Sequence, residues 1–364
     1  MPTPIFARFL DVLEGLRLGL TRPSLSNMLV VACGWILTQG QHAGTEALVV
    51  TGVAGRRHHE AFHRFFSGGT WPPDALGYWM FRRLEPFLGD GALQVAIDDT
   101  LTPKKGPHVF GIGSHLDAVR STRRHRVFCF GHCGVVLAVL VLVPFSRRTW
   151  ALPVLFRLDR NLKECAKHKA VSTKKTEAAR QMLDVVGSWV GDRRVEVAAD
   201  SAYCNATVTR GLSDSVVLFG AMRPDAVLTE LPKGKAPGAV GRPSKRGRVL
   251  PKPQQIAHDG RRPWKTCTAT LYGRTTPVQY KTLYAQWYRA CGTRLLRIVI
   301  VATTEGKVPF RVFFCTDASN DVVRVVETYS GRWGIEIDQS CCAPREVVYV
   351  PPLPGPVTPI RDRP

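Results

Sequence analysis

The sequence predicts an α/β layer fold, and three observations carry that expectation. Segments rich in apolar and β-branched residues begin near residue 92 as ALQVAID (92–98), VFCFGHCGVVLAVLVLVPF (127–145) and ALPVLFRL (151–158), spaced as consecutive strands with polar loops between them. From residue 173 onward helical periodicity alternates with further strands, and strands that precede and then alternate with helices specify a sheet covered by helices. The composition is globular: 364 residues, 45% hydrophobic and 22% charged. That is enough chain for roughly two or three domains. It excludes a disordered polyelectrolyte, a collagen-like chain and a small disulfide-stapled scaffold.

Residues 1–90 read as a helical domain, with apolar positions at helical spacing in Phe9, Leu13, Leu16 and again in Met28, Ala32, Ile36, and with Ser24 and Ser26 as N-cap candidates. The run 127–145 contains no Asp, Glu, Lys or Arg and meets the length of a membrane-spanning helix. Its β-branched content, Gly131, His132, Gly134 and the closing Pro144 favour buried strands. A helix capped by Thr173 follows, with Ala179, Met182, Leu183, Val186 and Val190 on one face and Gly191 at its end. VEVAAD (195–200) is the next strand, AYCNATVTRGL a helix and SVVLFG (215–220) another strand. Between Lys233 and Pro253 lie seven Lys or Arg, no acid, and enough Gly and Pro to exclude regular structure. The stretches VQYKTLYAQWY, LLRIVIVATT and RVFFCT supply more strands, and Asp321 to Glu336 has helical periodicity.

The charge balance narrows the partners. Fifty Lys+Arg stand against 29 Asp+Glu, a net charge of +21, and a field of that sign attracts polyanions, nucleic acid ahead of an anionic membrane surface; DNA and no membrane is the expected partner. Within the basic loop, the absence of acids suits contact with a phosphate backbone. Ten scattered cysteines without a CxxC pair indicate neither a disulfide framework nor a Cys-rich metal site. With no secretory signal at the N-terminus, a cytoplasmic location is expected.

Acids stand at the ends of the predicted elements. Asp98 and Asp99 close one strand, Asp200 another, and Glu336 lies in the last helix, with 102 and 136 residues between the successive acids Asp98, Asp200 and Glu336. Carboxylates gathered at strand ends repel one another. Two Mg²⁺ or Mn²⁺ ions held among them would offset that repulsion and activate water for phosphodiester cleavage. Taken singly, each acid also reads as a turn former, a helix cap or an ordinary surface acid, Glu336 pairing with Arg332 four residues earlier.

The flanking residues decide between these readings. Asp98-x-Thr100, Asp200-Ser201-Ala202-Tyr203 and Tyr329-x-x-Arg332-x-x-x-Glu336 occur in that order, accompanied by PKKG (103–106), RPDAVL (223–228) and GRPSKRGRVLP (241–251). In these motifs the chain resembles bacterial insertion-sequence transposases of the DDE class, those with a Tyr-Arg-Glu-Lys signature, over roughly residues 20–337. The resemblance implies an RNase H-like mixed sheet flanked by helices, divided into a helical DNA-binding domain (1–90), a first part of the catalytic core (91–222), a β-rich insertion with the basic loop (223–315) and a final core helix (316–337). It implies Asp98, Asp200 and Glu336 as the metal-holding catalytic triad, with Asp99 the rival for the first position. Asp98 fits the Asp-x-Thr pattern better. Tyr329, Arg332, Lys104, Lys105, Arg242, Lys245, Arg246 and Arg248 are the implied DNA contacts. The implied partners are the terminal inverted repeats of an element and its target DNA, bound by a homodimer at the bacterial nucleoid.

The signature places a Lys seven residues after its Glu, where this chain has Ala343, and residues 338–364 carry two vicinal cysteines and seven prolines. That tail resembles the product of a frameshift or truncation, which makes a catalytically inactive DNA-binding remnant the alternative. A competing motif is His59-Glu60-Ala61-Phe62-His63, the H-E-x-x-H pattern of zinc metalloproteases, with Glu85 as the nearest downstream third ligand. The competing expectation there is a helix with Phe62, Phe65 and Phe66 inward and its histidines outward. Gly131-His132-Cys133 is expected to pack within a strand and not to form a nucleophilic Cys-His pair.

Overall fold

A computed structural model describes residues 4–332 except 41–42, 70, 107–108, 123, 144–148, 161, 168–170, 235–240, 272–273 and 304–308. Glu336 and the tail therefore lie outside the described residues. The chain begins with α1 (Pro4–Glu14), α2 (Arg22–Leu37), α3 (Gly44–Val50), α4 (Glu60–Ser67) and α5 (Pro73–Leu84). Then come β1 (Leu93–Pro103), β2 (Gly113–Leu116), β3 (Phe128–Leu142), β4 (Thr149–Asp159), α6 (Leu162–Lys167), α7 (Lys175–Val190) and β5 (Val195–Ala199). After α8 (Ala206–Thr209) and β6 (Val216–Ala221) follow α9 (Pro253–His258), β7 (Lys265–Leu271), β8 (Arg274–Gln286), α10 (Tyr288–Cys291), β9 (Leu295–Ala302), β10 (Phe310–Cys315) and α11 (Val322–Gly331).

All ten strands join one sheet. Its middle runs β4-β3-β1-β5-β6, with β1, β5 and β6 parallel and β3 antiparallel to both β1 and β4; this is the mixed RNase H-like sheet that the family resemblance implies. Beyond β6 the sheet continues through β10, β9, β8 and β7, all antiparallel. The strands after the basic loop thus extend the same sheet.

Both faces are covered, which explains the near-continuous apolar reading of β3. On one face Val95, Ile97, Val135, Leu137 and Val139 pack against Ala179, Met182, Leu183 and Val186 of α7. A 16-residue helix is marginal alone, whereas each large side chain fully buried contributes roughly 1.5–3 kcal/mol, so packing and not propensity holds α7. On the other face Val217, Phe219, Phe313 and Cys315 meet Val322, Val325, Val326 and Tyr329 of α11. The run 127–145 supplies a strand and not a membrane helix, and no helix among the described residues is long and apolar enough to cross a membrane.

Local expectations are corrected at several points. The N-cap of α2 is Thr21, whose hydroxyl accepts from Ser24 N at 3.4 Å, and Ser24 and Ser26 lie inside the helix. Its buried stripe is Leu25, Asn27, Val31 and Gly34, while Ile36 is 66% exposed. At α7 the cap position is Lys174 in place of Thr173, because the Glu177 carboxylate accepts from Lys174 N at 3.1 Å. The segment after Asp200 is not one helix. A 3-10 turn (Ser201–Tyr203) is followed by Asn205, whose side chain accepts from Thr207 N and Val208 N and starts α8 afresh.

Candidate active site

β1 and β5 are neighbours in the sheet; β5 ends at Ala199, whereas β1 runs on past Asp98 and Asp99 to Pro103 against β3, so these two acids lie within the strand and do not close it. The parallel register runs from Leu93 opposite Val195 to Ile97 opposite Ala199, so the residues that follow, Asp98 and Asp200, stand side by side. Successive residues of a strand point to opposite faces. The Asp98-Asp99 pair is thereby divided between two environments.

Asp98 faces α11. Arg332 Nη1 donates to Asp98 Oδ2 at 2.7 Å, and the two side chains are only 7% and 15% exposed. Asp98 Oδ1 accepts from Asp99 N at 2.9 Å. On the same face the buried Glu196 of β5 is paired with Arg324 of α11 and, at 3.6 Å, with Arg194. Arg324 and Arg332 are about two helical turns apart, so α11 lies along the sheet with one arginine on Glu196 and the other on Asp98. Tyr329 is buried between them, its ring centroid 4.4 Å from that of Phe313 and 5.7 Å from the Arg332 guanidinium. Burial pushes the Tyr329 hydroxyl up, and the Asp200 charge adds to that rise, which puts Asp200 in the same neighbourhood. Asp200 itself caps the 3-10 turn, its Oδ1 accepting from Ser201 N at 2.6 Å.

Asp99 faces α7 and is tied into a separate network. Tyr203 Oη donates to Asp99 Oδ1 at 2.6 Å, Lys175 Nζ lies 3.4 Å away, and Cys133 Sγ donates to Oδ2 at 3.6 Å. Tyr203 is fully buried; that burial and the Asp99 charge raise its hydroxyl well above the usual tyrosine range. Burial, followed by the charges of Asp99 and Asp159, pushes the Cys133 thiol up to about 12. Cys133 is paired across the β3–β4 ladder with Asp159, and His115 Nδ1 of β2 lies 3.7 Å from Asp159 Oδ2. Burial lowers the His115 pKa and raises that of Asp159, each opposing the pull of the other's charge. Sequence reasoning missed the grouping of His115, Cys133 and Asp159, since no motif spacing links them and only the strand pairing brings them together.

The donor set on the α11 face fits a hard divalent cation. Asp98 and Asp200 offer carboxylate oxygens and no sulfur or imidazole, the ligands that Mg²⁺ and Mn²⁺ take. The third expected ligand, Glu336, lies outside the described residues. The expected DNA contacts fall into two groups. Lys104, Lys105, Arg242 and Lys245 are exposed, Arg246 lies 5.0 Å from the Tyr288 ring centroid and Arg248 pairs with Glu230 at 2.9 Å. Tyr329 and Arg332 are instead buried against the site.

The His59–His63 segment assembles differently from a zinc protease helix. α4 starts at Glu60 with His59 at its cap, Glu60 is 3.3 Å from Arg64, and Glu85 is held by Arg82 at 2.8 Å. Phe62 and Phe65 pack inward, whereas Phe66 is 49% exposed and stacks on Trp35 at a centroid distance of 6.0 Å.

Among protein families, the model described as DDE superfamily endonuclease matches residues 19–285. The match takes in Asp98, Asp99 and Asp200 and ends before α11. No curated protein matches the chain.

Proposed function

The chain belongs to the DDE superfamily of endonucleases, and on that premise we propose that it is a DNA transposase whose acids Asp98, Asp200 and Glu336 hold divalent metal. The observation that carries the reading is the placement of Asp98, where β1 leaves its parallel pairing with β5, beside Asp200 at the end of β5, under a helix that aims Arg332 at Asp98. When bound, two Mg²⁺ or Mn²⁺ ions would lower the pKa of attacking water and offset charge on the cleaved phosphodiester.

The protein's own side chains do the rest. Asp98 is the first acid and Asp99 is not, because Asp99 is occupied by Tyr203 and Lys175 on the opposite face. Arg332 balances the Asp98 charge in a buried pair. With a cation held at Asp98, the Arg332 guanidinium fork would be free for a scissile phosphate, a group it can hold with two parallel hydrogen bonds. Exposed Lys104, Lys105, Arg242 and Lys245 hold the flanking DNA as a homodimer brings element ends and target together.

The test is Mg²⁺- or Mn²⁺-dependent cleavage of a plasmid carrying the DNA that flanks this gene, with Asp200→Ala in parallel. Cutting should require metal and vanish in Asp200→Ala while DNA affinity changes less than about threefold. Undiminished cutting by the variant would remove Asp200 from the site. DNA binding without cutting by the unaltered chain would leave the remnant reading.

A further inference from the structure

We propose that His115, Cys133 and Asp159 form a transition-metal site, specific for zinc-like ions, on the face of the sheet opposite Asp98. The three side chains come from three strands, β2, β3 and β4, and one ligand atom from each lies within 4.8 Å of the others. The His115 Nδ1 to Asp159 Oδ2 separation of 3.7 Å is within a few tenths of an ångström of the ~3.3–3.4 Å nitrogen–oxygen edge of a zinc coordination tetrahedron with bonds of about 2.0–2.1 Å. With each ligand atom within 4.8 Å of the others, closing the set around an ion takes side-chain shifts of about 1 Å.

A second observation points to a ligand independently of the cluster. The His115 side chain is 9% exposed, and its Nε2 is buried without a hydrogen-bond partner. A buried imidazole nitrogen left unpaired costs free energy; with Nδ1 turned to Asp159 and Nε2 unpaired, the ring keeps one nitrogen as a ligand atom and has no hydrogen bond of its own that an ion would have to displace. Cys133 is 5% exposed and its thiol has only the long contact to Asp99 at 3.6 Å. This contact also sets a further carboxylate oxygen beside the sulfur.

Ligand chemistry selects the ion. Thiolate and imidazole are softer donors than the all-oxygen set at Asp98 and Asp200, so this site takes Zn²⁺ or Co²⁺ where the other takes Mg²⁺ or Mn²⁺. On binding, the Cys133 S–H bond breaks, a sulfur–metal bond forms and about one proton goes to solvent. The consequence for the fold is a clamp. β2 is a four-residue strand paired with β3, and the ion would fasten it to the end of β4, which pairs with the same edge of β3 just beyond it. The inference does not rest on the DNA-cleaving reading.

The experiment is titration of the apo full-length chain with Co²⁺ and Zn²⁺, read by absorption, by metal content after gel filtration and by thermal unfolding. The expected result is one tightly held ion per chain, a thiolate-to-cobalt charge-transfer band that Zn²⁺ abolishes by displacement, and a Tm that rises with metal. Cys133→Ser should remove the band, and His115→Ala should weaken affinity at least about tenfold. Asp159→Asn, at a partly exposed position, provides a variant whose folding is checked by circular dichroism and whose affinity should fall similarly. Asp98→Asn should keep both the band and the stoichiometry. Absence of a retained ion, or a band that persists unchanged in Cys133→Ser, overturns the site.

Discussion

Two adjacent aspartates within β1 carry opposite assignments, and the alternation of a strand is the reason. The Asp-x-Thr pattern favours Asp98 from sequence alone, but spacing could not show that Asp99 is bound by the Tyr203 hydroxyl at 2.6 Å and lies beside Lys175 and Cys133. Those partners come from residues 34 to 104 positions away, joined only by the sheet. Tyr203→Phe tests this network alone. It leaves a partly buried carboxylate with one donor fewer, so unfolding free energy should fall by about 1–2 kcal/mol in denaturant titration. Metal-dependent cleavage should survive, and a variant as stable as the parent would show that the hydroxyl carries no stabilising bond.

At the scale of elements, legibility followed periodicity. β1, β5, β6 and α7 were readable because strands buried on both faces are mostly apolar and α7 carries one clean stripe. Caps and short turns were not: Thr21, Lys174 and the restart at Asn205 depend on one or two local hydrogen bonds each, which compete with several similar candidates nearby. Also invisible was the seating of α5 on β4. Gly77 lies so close to β4 that a Cβ there would collide with the Val154 carbonyl oxygen, with Leu155 and Trp189 crowding behind it. A glycine in a helix interior normally costs stability relative to alanine; here the sign should invert. Gly77→Ala should lower stability by about 1–3 kcal/mol through overpacking. A thermal melt showing the usual gain from Gly→Ala would mean that α5 does not rest on β4 in this way.

At the scale of the molecule, the +21 charge is the feature that composition alone exposed, and it bears on affinity more than on fold. Arg246 and Arg248 are held near Tyr288 and Glu230 while Lys245 is exposed, so the basic loop presents cations from a fixed base. Replacing Lys245, Arg246 and Arg248 by alanine should weaken DNA binding and flatten the log-log salt dependence by up to about three units; an unchanged slope makes the loop a linker. What the sequence could not reveal is that the strands beyond this loop extend the catalytic sheet, since pairing partners across β6 and β10 lie almost a hundred residues apart. The division of labour between the two faces is tested most directly by Asp98→Asn and Asp99→Asn, compared in one metal-dependent cleavage assay and one thermal melt. Asp98→Asn should abolish cutting with the fold retained, and Asp99→Asn should lower Tm while cutting persists at temperatures where it is folded. Full cutting by Asp98→Asn together with a dead but stable Asp99→Asn would contradict the assignment and move the first acid to the other face.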